Sequence, residues 1–271
     1  MTAIAVTIAG SDSGSGAGIQ ADLKTFSALG VYGASVIAAL TAQNTKGVTG
    51  IHDVPAAFVT AQIDAVFSDL AVDAVKIGML SHPDTIAAVA DGLDRYKQNK
   101  IVLDPVMVAA SGDRLLKAEA VEVLRNVLIP KAMVITPNLP EAAALLESPM
   151  AETESEMQAQ GEALLNLGAK AVLMKGGHGS GAESVDLLIE RNSVARLAAE
   201  RVATQNTHGT GCTLSSAIAA GLAKGLSLAD AVREAKAYVT AAIIASDRLK
   251  IGHGHGPVHH FHHWWGARET K

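Results

Sequence analysis

The feature that most constrains the fold is a regular alternation of short apolar runs with longer amphipathic segments. The apolar runs are too short for helices and are typical of strands buried on both faces. They lie at residues 4–9, 34–40, 74–79, 101–103, 133–136 and 171–174. Segments with helical spacing of apolar residues lie between them, at 17–29, 55–69, 84–96, 118–128 and 156–167. This order predicts an α/β fold with a mostly parallel sheet and helices on both faces.

The last third of the chain continues the pattern with one change. Residues 185–189 predict a further strand, with parallel and antiparallel directions both open, and two helices follow at about 212–224 and 228–246. Residues 147–158 suit a loop that enters a helix. At 271 residues, with 49% hydrophobic and 18% charged residues, the chain can bury a large core. We find no linker or repeat, so one domain over residues 1–271 is predicted.

The charge and cysteine content exclude several classes of partner and site. A net charge of −5 without a basic block gives no footprint for nucleic acid or an anionic membrane. No apolar stretch is long enough to span a bilayer, and no basic flank marks a signal peptide, so a cytoplasmic protein is expected. The single cysteine rules out an intramolecular disulfide and a cysteine-only zinc site.

A glycine-rich segment links the first predicted strand to the first predicted helix. It reads Ala9-Gly-Ser-Asp-Ser-Gly-Ser-Gly-Ala-Gly18 and lacks the Lys-Ser/Thr pair of a Walker motif. Glycines allow backbone amides to approach a ligand closely. The segment predicts a substrate-binding loop at the carboxyl edge of the sheet, with an ordinary connecting loop as the alternative.

A second glycine-rich turn, Thr207-His-Gly-Thr-Gly-Cys-Thr213, precedes an apolar helix. Amides in the first turn of a helix, assisted by the helix dipole, can surround the oxygens of a migrating phosphoryl group. We therefore expect an anion hole at Gly209, Thr210 and Gly211, the alternative being a helix start without a ligand. Cys212 lies where the helix favours a thiolate, so it is a candidate base for a substrate hydroxyl. An inert buried cysteine is the alternative.

Polar residues follow several predicted strands, where ligands bind in open α/β sheets. Asp104, Asn138 and Glu141 offer oxygens suited to Mg²⁺, directly or through water. Lys175 can meet nucleotide phosphates. Each can instead cap a helix or pair a charge, but their common position at strand ends favours one shared site.

Three further residues suit a flat heteroaromatic ligand. Gln43 follows the 34–40 run, and its carboxamide can match the edge of an aminopyrimidine, with surface solvation as the alternative. Met79 and Val106 can pack against the faces of such a ring, although both residue types are commonly core.

The tail is rich in histidine. Six of the ten histidines lie between residues 253 and 263, just before Trp264 and Trp265. No cysteine or carboxylate framework accompanies them, so adventitious metal affinity or a packed C-terminus is favoured over a metal site.

Taken together, these motifs resemble those of the hydroxymethylpyrimidine/phosphomethylpyrimidine kinases of thiamine biosynthesis, within the ribokinase-like superfamily. The resemblance covers nearly the whole chain. The motifs that carry it are residues 9–24, Thr41-Ala-Gln-Asn44, Lys76-Ile-Gly-Met79, Asp104-Pro-Val-Met107, Thr136-Pro-Asn-Leu-Pro-Glu141 and His208-Gly-Thr-Gly-Cys212. The wider superfamily usually ends this turn with Asp, and the cysteine here fits the pyrimidine branch.

The resemblance implies a three-layer α/β/α kinase that forms a homodimer. It implies that MgATP phosphorylates 4-amino-5-hydroxymethyl-2-methylpyrimidine and then its monophosphate. The implied substrate-binding residues are Gln43, Gly10, Asp22, Met79 and Val106. The implied catalytic residues are Cys212, Gly209, Thr210 and Gly211. The implied nucleotide and metal residues are Lys175, Asn138 and Thr207, and Asp104 and Glu141, respectively.

Two other functions are compatible with the same motifs. A pyridoxal or pyridoxine kinase acts on a flat ring with a hydroxymethyl arm. A sensor that binds nucleotide or thiamine intermediates without turnover is a second alternative, although the intact Gly-Thr-Gly-Cys turn argues against it.

Overall fold

The computed structural model describes residues 1–107, 118–177 and 181–266 of the chain. Its strands are β1 Ile4–Asp12, β2 Tyr32–Asn44, β3 Gly47–Asp53, β4 Ala74–Ile77, β5 Ile101–Leu103, β6 Val134–Ile135, β7 Ala171–Lys175, β8 Glu183–Glu190 and β9 Ser193–Glu200. Within the described residues they form one sheet in the order β3-β2-β1-β4-β5-β6-β7-β8-β9. The strands from β2 to β7 in this order are parallel, whereas β3, β8 and β9 pair antiparallel with their neighbours.

Helices cover both faces of the sheet. They are α1 Gly18–Ala28, α2 Ala56–Phe67, α3 Pro83–Arg95, α4 Ala118–Val123, α5 Leu139–Leu146, α6 Glu154–Leu165, α7 Thr210–Ala223 and α8 Leu228–Ile244. Helices α1, α7 and α8 bury one apolar core, which includes Phe26 and Ile218. Helices α2 to α6 bury the other core, which includes Ile63 and Leu145. The predicted three-layer α/β/α fold is therefore confirmed.

Most predicted elements are present with shifted ends, and β8 is antiparallel, one of the two directions that the sequence left open. The sequence does not predict β3 and β9, because these strands lie at the two ends of the sheet and expose most of their side chains. It also does not predict α5, which is short and begins with a capping box between Asn138 and Glu141. The predicted helix at 118–128 is α4 followed by a π-helical turn, Leu124–Leu128. No helix in the described ranges is long and apolar enough to cross a bilayer.

Part of the histidine-rich tail packs against α7 and α8. His259 and His260 are buried, Tyr238 donates a 2.6 Å hydrogen bond to the His260 carbonyl, and His260 Nε2 lies 3.0 Å from Thr213 Oγ1. The Thr213 hydroxyl donates to the Gly209 carbonyl, so the His260 ring donates to Thr213. The interpretation of a packed C-terminus fits these contacts.

Burial of His260 makes stability depend on pH. Burial lowers the pKa of this imidazole to about 3, whereas a histidine in the unfolded chain titrates near about 6.5. Below that pH the unfolded chain binds the proton and the folded protein does not. The free energy of unfolding should therefore decrease as the pH is lowered below about 6.5, by about 1.4 kcal/mol per pH unit from this residue alone. His260→Gln keeps an N–H for Thr213 and should flatten the slope in urea unfolding at pH 7, 6 and 5; an unchanged slope would contradict this.

Candidate active site

A cavity of about 740 Å³ opens at the carboxyl ends of the parallel strands. It lies beside the junction of β1 and β4, where the order of strands along the chain reverses and where open α/β sheets bind ligands. All the predicted site residues except Asp22 line it. They are Gly10, Gln43, Met79, Asp104, Val106, Asn138, Glu141, Lys175, Thr207, Gly209, Thr210, Gly211 and Cys212.

The turn at the start of α7 has free amides. Gly209 caps the helix with a φ of 80°, and the Thr210 amide bonds to the Thr207 carbonyl at 3.2 Å. The Gly211 and Cys212 amides have no hydrogen-bond partner among the described residues. A side chain on Gly211 would come within 3.2 Å of Lys175 Nζ. Two free amides at a helix N-terminus beside an ammonium group form a site suited to a phosphoryl group.

Lys175 lies between the two predicted metal ligands. Its Nζ is 2.8 Å from Asp104 Oδ1 and 3.8 Å from Glu141 Oε2. Asp104 also accepts from Thr136 Oγ1 at 3.0 Å. Burial opposes ionisation of Asp104, but Lys175 and Lys76 hold its pKa below the usual value. Despite its own burial, Lys175 has a raised pKa because of these carboxylates.

The negative charge of Glu141 is less well compensated than that of Asp104. Burial raises its pKa to about 7, and nearby Asp104 adds to the shift, although Lys175 opposes it. A buried carboxylate with incomplete charge compensation fits a divalent cation, which would relieve it. In the described parts of the chain no three acidic, His or Cys side chains cluster as a metal site. Mg²⁺ commonly binds through one or two carboxylates and completes its shell with phosphate oxygens and water.

The oxygen of Asn138 is used structurally. Asn138 Oδ1 accepts the Glu141 amide at 2.8 Å, and Glu141 Oε2 accepts the Asn138 amide at 2.8 Å. Asn138 thus caps α5, which was the alternative. An amide oxygen has two lone pairs, so the second lone pair and the NH₂ group can still serve a metal-bound water or a nucleotide, and that role stays a prediction.

Asp22 does not reach the cavity. It is fully buried, with Lys76 Nζ at 2.9 and 2.8 Å from its two oxygens, Thr7 Oγ1 at 2.6 Å and Ser216 Oγ at 2.6 Å. Direct contact between Asp22 and a substrate does not fit this position. Asp22 instead holds Lys76, which lines the cavity and whose pKa Asp22 raises against the effect of burial.

The surroundings of the Cys212 thiol oppose its ionisation. Burial raises its pKa to about 11, while Lys76 and the Gly18 amide act in the opposite direction. Desolvation therefore outweighs the nearby charge of Lys76, so this environment does not favour the expected thiolate, and the role of Cys212 as base stays a prediction.

Backbone amides of the N-terminal glycine-rich loop donate hydrogen bonds to Asp12, a residue of the same loop. Asp12 accepts the amides of Gly14, Gly16 and Ala17 at 2.7 to 2.9 Å and also contacts His208 Nε2 at 3.0 Å. Although burial raises the pKa of Asp12, the His208 and amide hydrogen bonds hold it below the usual value. These three amides are thus occupied by Asp12, and substrate binding by this segment stays a prediction that rests on residues such as Gly10, which lines the cavity.

The two glycine-rich segments are packed against each other. A side chain at Gly16 would overlap the His208 ring, and one at Gly209 would overlap the Gly16 carbonyl. Gln43 lies beside this contact, with its terminal amide nitrogen 3.3 Å from His208 Nε2 and its oxygen 3.0 Å from Thr41 Oγ1. The loops therefore form one wall of the cavity.

Sequence reasoning misses three residues of the site, Asp12, Lys76 and His208, although each lies within a quoted motif. Lys76 has the clearest signal, because a lysine in an otherwise apolar strand needs a buried partner. Nothing in the sequence indicates that Asp12 pairs with His208.

Comparison with known proteins adds to this geometry. The phosphomethylpyrimidine kinase family model matches residues 12–259. A hydroxymethylpyrimidine/phosphomethylpyrimidine kinase of Rhizobium meliloti (strain 1021) is 63% identical over 98% of this chain and 99% of its own.

Solved structures give the same family and fold. A phosphomethylpyrimidine kinase from Clostridium difficile 630 is 48% identical, with a TM-score of 0.79 over 89% of this chain and 99% of that one. An ADP complex of Bacillus subtilis pyridoxal kinase is 36% identical, with a TM-score of 0.89 over 96% and 98%. On the family match, the long high-identity alignments and the three-layer fold, the chain belongs to the phosphomethylpyrimidine kinase family.

Proposed function

We propose that this chain transfers the γ-phosphoryl group of ATP to 4-amino-5-hydroxymethyl-2-methylpyrimidine and then to the resulting monophosphate. The observation that carries the proposal is one cavity with a polar carboxamide, Gln43, and a helix N-terminus with two free amides. The first suits an aminopyrimidine edge and the second suits a phosphoryl group. The two successive phosphorylations supply the pyrimidine diphosphate for thiamine biosynthesis.

The phosphoryl group lies, in this proposal, over the amides of Gly211 and Cys212. Lys175 approaches it from β7 and neutralises charge that develops on its oxygens. Thr207 and the Asn138 NH₂ group face the nucleotide. Gly10, Met79 and Val106 contact the acceptor ring, which Gln43 orients by its donor and acceptor.

Asp104 and Glu141 are the residues that would hold Mg²⁺. When bound, Mg²⁺ supplies charge neutralisation between phosphate oxygens. Lys175 Nζ lies 2.8 Å from Asp104 and 3.8 Å from Glu141, so one cation already stands beside the proposed metal ligands.

Cys212 is proposed as the base for the first step only. The first acceptor is a neutral alcohol, whereas the second is an ionised phosphate that has no proton to lose. Cys212→Ala should slow alcohol phosphorylation about 100-fold and monophosphate phosphorylation only a few-fold. Quenched-flow assays with each acceptor measure this, and equal losses in both steps would refute the base assignment.

The pKa of Cys212 adds a second expectation for the same assay. Because the thiol is protonated below a pKa of about 11, the thiolate fraction rises about tenfold per pH unit between pH 7 and 9. The alcohol step should accelerate over this range in the native protein and lose that acceleration in Cys212→Ala.

The proposed function is tested by ADP release with MgATP and the hydroxymethylpyrimidine, with mass identification of products and a parallel reaction with pyridoxal. Monophosphate followed by diphosphate supports it. The high TM-score with a pyridoxal kinase keeps pyridoxal as the second candidate. Turnover of pyridoxal alone would establish that activity instead, and ligand binding without ADP release would favour a sensor.

The assembly and location are also proposals. We expect a single-domain cytoplasmic protein that forms a homodimer, and exposed apolar side chains at Leu40, Ile51 and Phe58 near the β2–β3 end of the sheet favour self-association. Light scattering measures the mass in solution, and a monomer at micromolar concentration would contradict the dimer.

A further inference from the structure

The contact between His208 and Asp12 fixes where one hydrogen lies. Asp12 accepts three backbone amides, so its carboxylate acts only as an acceptor. His208 Nε2, 3.0 Å away, must therefore donate its hydrogen in that direction. Because the same nitrogen is 3.3 Å from the end of the Gln43 side chain, Gln43 faces an N–H group there.

Thr41 fixes the other end of the Gln43 carboxamide. Thr41 Oγ1 is 3.0 Å from the Ser11 carbonyl and 3.0 Å from the second terminal atom of Gln43. A carbonyl only accepts, so the single Thr41 hydroxyl hydrogen goes to Ser11. The Thr41 oxygen then accepts, and an N–H of Gln43 satisfies it.

The two flanking groups therefore select one orientation of the carboxamide, with oxygen toward His208 and NH₂ toward Thr41. In the orientation given with the cavity geometry, the Gln43 oxygen faces Thr41 and the nitrogen faces His208. The two orientations differ by a half-turn about the last side-chain bond and have the same shape, so hydrogen bonds decide between them. The His208 N–H is shared by the oxygens of Asp12 and Gln43. One oxygen lone pair and one N–H remain on Gln43, at the outer edge of the carboxamide.

We propose that His208, held by Asp12, is a positioning residue that fixes the donor–acceptor order of Gln43 and so selects acceptors with a 4-aminopyrimidine edge. The amino N–H of such an acceptor can donate to the Gln43 oxygen, and the adjacent ring nitrogen can accept the Gln43 N–H. A 4-oxo pyrimidine presents the reverse order, a carbonyl beside a ring N–H, and meets two mismatches. The inference rests on the proposed function, since it places the acceptor ring against Gln43.

The test compares the 4-amino acceptor with its analogue 5-hydroxymethyl-2-methylpyrimidin-4-one. The native protein should prefer the amino compound by about 10³-fold or more in kcat/KM, as expected for a site with matched hydrogen bonds. In His208→Leu the carboxamide can turn, so this preference should fall at least about tenfold. The KM for the amino acceptor should rise, while the KM for ATP should stay within about twofold.

His208→Gln is the matched control. Glutamine places an N–H near the position of imidazole Nε2, so it should restore most of the preference. Thr41→Val removes the acceptor at the other end of Gln43 and should lower the preference independently, which provides a second variant if His208→Leu is unstable in thermal unfolding.

The outcomes distinguish a failure of the positioning role of His208 from a failure of the proposed function. Equal losses with both acceptors, and an unchanged preference in His208→Leu and Thr41→Val, would overturn the positioning role. A native protein that turns over neither pyrimidine would overturn the proposed function itself, and with it the role of Gln43.

Discussion

Replacing Lys175 with methionine is expected to lower the single-turnover rate of phosphoryl transfer about 1000-fold at saturating ATP and acceptor. The ammonium lies within reach of the free amides at the start of α7 and 2.8 Å from Asp104. In the proposed function it neutralises charge that develops on the transferred group, so its loss should remove stabilisation specific to the transition state. Methionine preserves much of the length and packing of the side chain.

A surface lysine provides the control for this experiment. Lys131 pairs with Asp94 at 2.6 Å, neither residue lines the cavity, and Asp94 is largely exposed. Lys131→Met should leave the transfer rate within about twofold, because exposed ion pairs contribute little. Near-ultraviolet circular dichroism establishes that both variants are folded. A Lys175→Met rate within tenfold of the native one would contradict the role of Lys175.

Replacing Lys76 with methionine should have the largest effect on stability. Lys76 and Asp22 are both completely buried and form a 2.8 Å ion pair. Removal of the cation leaves a buried carboxylate with only two hydroxyl partners, which should cost about 3–5 kcal/mol in the free energy of unfolding. Urea unfolding at neutral pH measures this loss.

A double variant tests whether the cost comes from the unpaired charge. In Lys76→Met with Asp22→Asn no charge remains, and at least half of the lost stability should return. Lys131→Met again serves as the surface control, with an expected loss of less than about 1 kcal/mol. A double variant as unstable as Lys76→Met alone would show that packing, rather than charge, sets the cost.

The sequence predicts the central sheet well for a physical reason. Strands such as β5 and β7 are buried between two helical layers, so nearly every residue is apolar and the signal is continuous. The end strands β3 and β9 are mostly exposed and lack that signal. Helix α5 has eight residues and begins with a capping box. It is too short to show clear apolar periodicity, so the sequence pattern does not predict it.

The candidate site is predicted in part for a similar reason. Residues at strand ends, such as Asp104 and Lys175, can be placed from the strands alone, because parallel strands end at one edge. Pairings between distant segments are different. Lys76 and Asp22 are 54 residues apart, and His208 and Asp12 are 196 apart. Only the folded arrangement shows that Asp22 is enclosed and that the first loop binds its own aspartate.

The separation between Asp12 and His208 also affects when the protein becomes competent during translation. The loop after β1 emerges early and can form its amide contacts with Asp12 at once. His208 arrives much later, and its backbone is then held on both sides by Gly256 and Val258. A nascent polypeptide that has completed the parallel strands therefore still lacks the part of the cavity wall that contains His208. If His208 positions Gln43 as proposed, acceptor selection is among the last properties that the growing chain acquires.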